Sequence, residues 1–202
     1  MSTLPLTPSQ TVGPFFARAL LRVDTERHIL TTPETRGERI RIEGRVLDGD
    51  GAPVPDALVE IWQANADGRY NHPADTRPAR LDPSFLGFGR SGSQDDVYWF
   101  ETIKPGPVPF AGRQTQSPHI VVTVFARGLL NHVVTRLYFA DEPANASDPI
   151  LRRVPAERRS TLLARRVASG ESGAAGELAD SMPVYRFDIV LQGAGETVFF
   201  QV

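Results

Sequence analysis

The chain has 202 residues, with 22 basic against 24 acidic side chains, a formal net charge of −2 and no cysteine. That length suits one domain with a substantial core and an extended arm, and leaves little room for two unrelated domains. The near-balanced charge gives no electrostatic footprint for nucleic acid or an anionic membrane surface and points to a small or proteinaceous partner. The missing cysteine excludes disulfides, thiolate metal sites and cysteine nucleophiles, and suits a reducing compartment.

In chain order, residues 1–38 read as an irregular, Pro-rich N-terminal arm, and an arm of that length is expected to pack on something. Its first ten residues, MSTLPLTPSQ, lack the basic and apolar regions of an export signal. No apolar run elsewhere approaches the roughly 20 residues needed to cross a bilayer, so the chain is expected to be soluble and cytoplasmic. Beyond the arm, 17 prolines and 17 glycines punctuate the sequence and leave apolar segments of strand length; this is an all-β pattern. In RIRIEGRVLD, Ile40, Ile42 and Val46 share one face with charges opposite, as a half-buried strand requires. The turn GDGAPVPD follows, and further strands are expected in ALVEIWQA from Ala57, VYWFETI from Val97, HIVVTVFA from His119, HVVTRLYFA from His132, VYRFDIVLQ from Val184 and TVFFQV at the C-terminus. The one expected helix is PAERRSTLLARRV, residues 155–167. Pro155 suits its first turn, Glu157 lies near the positive end of its dipole, and Arg165 and Arg166 lie near the negative end. The following SGESGAAGELADSMP has the composition of a flexible loop, and no internal repeat is visible.

Chemistry-bearing residues are few. His119 opens an alternating strand after the turn PGPVPF, and reads either as a metal ligand or as a polar residue packed into a sheet. Tyr70 and His72 fall in a turn; Tyr98, His132 and Tyr138 fall in strands, where aromatic packing is the ordinary explanation. Period-two counting puts residues 119, 121, 123, 125 and 127 on one face. Eight residues at about 3.3 Å each would separate Arg127 from His119 by roughly 26 Å, so the two are not expected to serve one pocket.

Seven segments, running in order from Thr7 to Phe200, carry a resemblance: TPSQTVGPFF, GRVLDGDGAPVPDALVEIWQANADGRY, LDPSFLGFGR, IKPGPVPF, SPHI, TRLYF and YRFDIVLQGAGETVFF. In these the chain resembles the intradiol aromatic-ring dioxygenases. The resemblance implies a mainly β fold with a mixed β-sandwich or barrel core over residues 39–202. It also implies a non-haem ferric iron held by two tyrosinates and two histidines, since hard phenolate oxygens favour Fe(III) and imidazoles complete the site. At the four ligand positions of that pattern this sequence has Arg77, Val108, His119 and Val121, so one ligand type of four remains and nothing supplies anionic charge.

The family includes enzymes built from two homologous chains, one bearing the iron and one lacking it, and this sequence resembles the second. The resemblance then places the non-haem iron in a homologous partner chain and assigns this chain no catalytic residue. It implies that Thr11, Gly13, Pro14 and Arg127 line the partner's pocket, where O₂ cleaves a catechol acid. A guanidinium there suits a substrate carboxylate. The bland readings are a simple turn at Gly13-Pro14 and a solvated strand end at Arg127; Arg136 reads as structural. Two other classes compete: a β-sandwich binding module without enzymology, and a self-sufficient catechol dioxygenase with an unusual ligand set.

Overall fold

A computed structural model describes Thr11 and residues 19–22, 24–78, 80–93, 96–167 and 182–201. Twelve strands dominate it: β1 (Arg39–Gly44), β2 (Val46–Leu47), β3 (Leu58–Gln63), β4 (Phe88–Gly92), β5 (Tyr98–Ile103), β6 (Val108–Pro109), β7 (Thr115–Gln116), β8 (His119–Phe125), β9 (Val133–Phe139), β10 (Leu163–Val167), β11 (Val184–Arg186) and β12 (Ile189–Val190). Eight of them form one mixed sheet in the order β4-β3-β8-β9-β10-β11-β1-β5, with two small ladders, β12-β2 and β6-β7, beside it. The sheet curls until its two edges, β4 and β5, approach each other. A short piece of the expected arm laces them together: Arg27 exchanges both backbone hydrogen bonds with Arg90 of β4, and the backbone N–H of Leu30 and the carbonyl of His28 bond to Glu101 of β5. Residues 27–30 therefore close the sheet of their own chain and remove two unpaired edges.

The alternating strands behave as their pattern requires. Ile40, Ile42, Val59, Ile61, Phe100, Ile120, Val122, Val124, Leu137 and Phe139 point inward and build one core cluster. Side chains of this size contribute about 1.5–3 kcal/mol each on full burial. A second cluster gathers Tyr138, Leu151, Val154 and Leu162, with Val198 and Phe200 packed against it.

Four expected elements differ in detail. The helix expected over residues 155–167 is a 3₁₀ helix at Ala156–Leu162, and Arg165 and Arg166 belong to β10 instead. Pairing with β9 and β11 outweighs local helix propensity there. The expected strands RIRIEGRVLD and VYRFDIVLQ each break once, at Arg45 and at Phe187–Asp188, because the two parallel partners turn a corner together. At that corner Phe187 O accepts from the Tyr98 hydroxyl at 2.5 Å, and a Cβ on Gly44 would lie 1.9 Å from the same oxygen, so only glycine fits. The C-terminal strand reduces to a single bridge, Val134↔Phe200. Strand β4 was not expected: FGRSG lacks the β-branched alternation that marks its neighbours.

Candidate functional site

Two places hold the residues that the sequence singles out. The first surrounds the four ligand positions. Val108 on β6 pairs with Gln116 on β7, His119 opens β8 opposite Tyr138, and Val121 lies opposite Arg136 on one side and Trp62 on the other. Ladder register thus gathers three of the positions around the Arg136 side chain. The Arg136 Nη1 donates to Gln116 Oε1 at 2.6 Å, and its guanidinium carbon lies 6.0 Å from the centre of the Phe200 ring. Its positive charge acts on Tyr70, His119 and Tyr138 alike.

Arg77, the fourth position, sits in the loop beyond. Its Nε and Nη2 reach the two carboxylate oxygens of Asp75 at 2.7 and 2.5 Å, and Nη2 also donates to Gly68 O at 2.9 Å. That bidentate pairing holds the Asp75 carboxyl below its usual range, with the Tyr70 and Arg77 backbone N–H groups adding to it and burial opposing it. Tyr70 stacks on Trp62 with ring centres 5.8 Å apart. Trp62, Tyr70, His72, Asp75 and Arg77 line an open pocket of about 400 Å³.

His119 is 2% exposed, and its Nδ1 donates to Ser117 O at 2.7 Å. Burial is the main force that pushes its pKa down to about 4, and the Arg136 charge adds to it against the Ser117 contact. The imidazole is neutral at pH 7. Tyr138 is raised well above an ordinary phenol, first by burial and then by Asp148, whose carboxylate accepts from its hydroxyl at 3.2 Å. Burial likewise raises Tyr70.

This donor set does not fit ferric iron. The four positions offer a guanidinium, two isopropyl groups and one imidazole, and the nearby phenols are held in the protonated form beside a second guanidinium. The iron of the family pattern needs hard anionic oxygen. Among the described residues no group of three or more His, Cys, Asp or Glu side chains is placed to hold a metal ion.

The second place is at the far end of β8, which stops at Phe125. Ala126, Arg127, Gly128 and Leu129 form a turn closed by Leu129 N–H donating to Ala126 O at 3.2 Å. Gly128 takes φ +85°, the left-handed value a type II turn needs at its third position. Arg127 therefore stands at the apex, on neither face of the strand, with 66% of its side chain exposed, and its Nε lies 2.9 Å from Asp56 Oδ2. Thr11 joins it: the Gly128 N–H donates to Thr11 Oγ1 at 2.9 Å. Two residues singled out far apart in the sequence thus meet at one turn. Gly13 and Pro14 lie outside the described residues. His119 and Arg127 lie at opposite ends of β8, in line with the expected separation.

Sequence reasoning left out Arg136 as the centre of the first place and Asp56 altogether. Register arithmetic carries a signal for both. Val121 faces Arg136 directly, and Leu58 pairs with Phe125, so Asp56 and Arg127 each lie two residues beyond the same end of one ladder.

Residues 11–193 match the family model described as Dioxygenase. The chain is 42% identical to the protocatechuate 3,4-dioxygenase alpha chain of Burkholderia cepacia, with both chains covered in full. It is 38% identical to the protocatechuate 3,4-dioxygenase beta chain of the same organism, over 96% of this chain and 78% of that one. Among solved structures it superposes on the dioxygenase domain of a dioxygenase and carbohydrate-binding fusion from Streptomyces sp. SirexAA-E, with a TM-score of 0.59 and 28% identity, covering 93% of this chain and 99% of that one. A match of this length in sequence and in fold means that the chain belongs to the intradiol ring-cleavage dioxygenase family.

Proposed function

We propose that this chain is the iron-free subunit of a two-chain intradiol dioxygenase acting on protocatechuate. A homologous partner chain carries the non-haem Fe(III), and O₂ is inserted between the two hydroxyl-bearing carbons to give 3-carboxy-cis,cis-muconate. This chain contributes pocket wall, charge complementarity and assembly. Thr11 and Arg127, with Gly13 and Pro14 from the same arm, reach the partner's site. The observation that carries the reading is the meeting of Thr11 with the Arg127–Gly128 turn. An arm residue and an exposed cation converge at one rim, while the chain's own ligand positions are filled by Arg77, Val108 and Val121. The similarity to relatives named as separate alpha and beta chains supports a hetero-oligomer. Among the described residues no helix is long and apolar enough to cross a membrane, and with no cysteine in the chain we place the enzyme in the cytoplasm.

Expression of this chain alone and together with a homologue that retains the tyrosine and histidine ligands tests the proposal. The lone chain is expected to be colourless and inactive. The co-purified pair is expected to hold iron, to show a tyrosinate-to-iron visible band and to cleave protocatechuate. Iron and activity in the lone chain would establish a self-sufficient dioxygenase instead, and failure of the two chains to associate would favour a binding module.

A further inference from the structure

We infer that Asp56 is a positioning residue that sets the specificity of this subunit for a carboxylate-bearing catechol, by fixing the direction in which Arg127 presents its guanidinium. The inference rests on the reading that Arg127 faces the partner's substrate, and it names the residue that makes Arg127 competent to do so.

Strands β3 and β8 are antiparallel, with Leu58 opposite Phe125. Asp56 and Arg127 each lie two residues beyond that end of the ladder, in turns, and the Arg127 Nε comes 2.9 Å from Asp56 Oδ2. The backbone around both ends is held. Ala57 N–H donates to the Ser93 hydroxyl at 3.0 Å, the turn after β8 is closed by Leu129 N–H on Ala126 O, and Gly128 N–H is held by Thr11. A long, exposed arginine on a tight turn would otherwise sample many rotamers, at a cost of up to about 2 kcal/mol to order.

The atoms in contact decide what the pair does. Asp56 Oδ2 lies 2.9 Å from the Arg127 Nε as a charge contact that is not in line with the N–H, while Nη1 and Nη2 have no partner among the described residues. A guanidinium binds a carboxylate in a bidentate way through one edge, and with the Asp56 charge beside Nε the fork left for a ligand is the one formed by the two terminal nitrogens. The Asp56 Oδ1 is buried and has no hydrogen-bond partner among the described residues. The pair is not built for stability, because its two side chains are 66% and 39% exposed and exposed ion pairs contribute little.

Two opposite effects of Asp56 on an incoming carboxylate must be compared. Its negative charge repels the carboxylate, and its hold on Nε aims the fork. Solvent screens the first at this exposure. The second acts on the ligand's bidentate geometry, where a displacement of about 1 Å can cost orders of magnitude. Orientation therefore wins, and removing Asp56 weakens acid selectivity.

The test uses the two-chain enzyme. Its readout is the ratio of kcat/KM for protocatechuate to kcat/KM for catechol, which lacks the carboxylate, with iron content and thermal unfolding measured on every variant. Arg127→Ala is expected to lower the ratio about ten- to a hundredfold, the equivalent of one charge-assisted hydrogen bond. Asp56→Ala is expected to lower it about tenfold through KM for the acid, and to have no further effect in the Arg127→Ala background. Asp56→Asn, which keeps the shape and removes the charge beside Nε, is expected to lower the ratio as Asp56→Ala does. Asp56→Glu moves the carboxylate by one methylene and is expected to lower it even if the alanine variant does not assemble. An unchanged ratio in both Asp56→Ala and Asp56→Glu, with a lowered ratio in Arg127→Ala, overturns the positioning role and leaves Arg127 facing substrate. A raised ratio in Asp56→Ala overturns it too, since repulsion would then dominate. An unchanged ratio in Arg127→Ala removes the underlying reading of the rim.

Discussion

The pocket around Arg136 and the rim around Arg127 each hold an arginine beside acceptors, yet they are built in opposite ways. In the pocket, charged and buried polar groups pair internally: Arg136 meets Gln116, Arg77 meets Asp75, His119 meets Ser117, and Tyr138 meets Asp148. Asp148 also accepts from the backbone of Ser117, Ile150 and Leu151, at 2.7, 2.9 and 2.7 Å. At the rim, Arg127 is mostly exposed and makes a charge contact from its Nε to Asp56. Groups buried and paired in this way put their interaction energy into the fold. An exposed cation with one such contact keeps capacity for a partner. If this contrast holds, pocket substitutions cost stability and rim substitutions cost selectivity.

The largest effect is expected at Asp148. It is fully buried, and Asp148→Ala would strip the acceptor from three backbone N–H groups and the Tyr138 phenol. The loss should be on the order of 4 kcal/mol, or roughly 10 °C in Tm for a chain of this size, read by thermal unfolding of the assembled enzyme. A Tm within a degree or two of wild type would break the contrast.

His119 sets the next effect, and its sign follows from its depressed pKa. The unfolded imidazole takes a proton near 6.5 whereas the folded one resists until about 4, so its contribution is fully present above pH 6.5 and declines as pH falls. The slope is about 1.4 kcal/mol per pH unit across that window. His119→Gln should flatten the stability–pH curve between those limits relative to wild type, as measured by denaturant unfolding at several pH values. Parallel curves would show that the imidazole is not held neutral.

At the rim, Arg127→Ala should change folding stability by less than about 1 kcal/mol, even though it lowers the protocatechuate-to-catechol ratio. A stability loss as large as that of Asp148→Ala would make the two regions alike.

The smallest effect sharpens the comparison from the metal side. Combining Arg77→Tyr, Val108→Tyr and Val121→His with the native His119 restores all four ligand types but leaves Arg136 donating to Gln116 among them. The lone triple variant is expected to remain colourless, since ligand geometry depends on the surrounding hydrogen bonds and a fixed guanidinium opposes a cation. A visible tyrosinate-to-iron band in it would show that the Arg136 network does not stand in the way.

How much of this was legible in the sequence differs between the two regions. Alternation alone located the long strands and their inward residues, because the side-chain period of a strand is a local property. The ordered motifs located the ligand positions and their replacements. The chain by itself also determined that no thiolate chemistry is present and that the four ligand positions carry no anionic oxygen. Short strands such as β4 and β10 were not legible, since pairing rather than propensity makes them strands. Only the tertiary structure decided that residues 27–30 seal the sheet edges, that Arg136 sits at the centre of the ligand positions, and that Thr11 and Asp56 both contact the turn that carries Arg127. Each of these joins residues far apart in the chain, 117 positions in the case of Thr11 and Gly128. Such meetings are set by ladder register and by where a strand ends, and no local pattern encodes those.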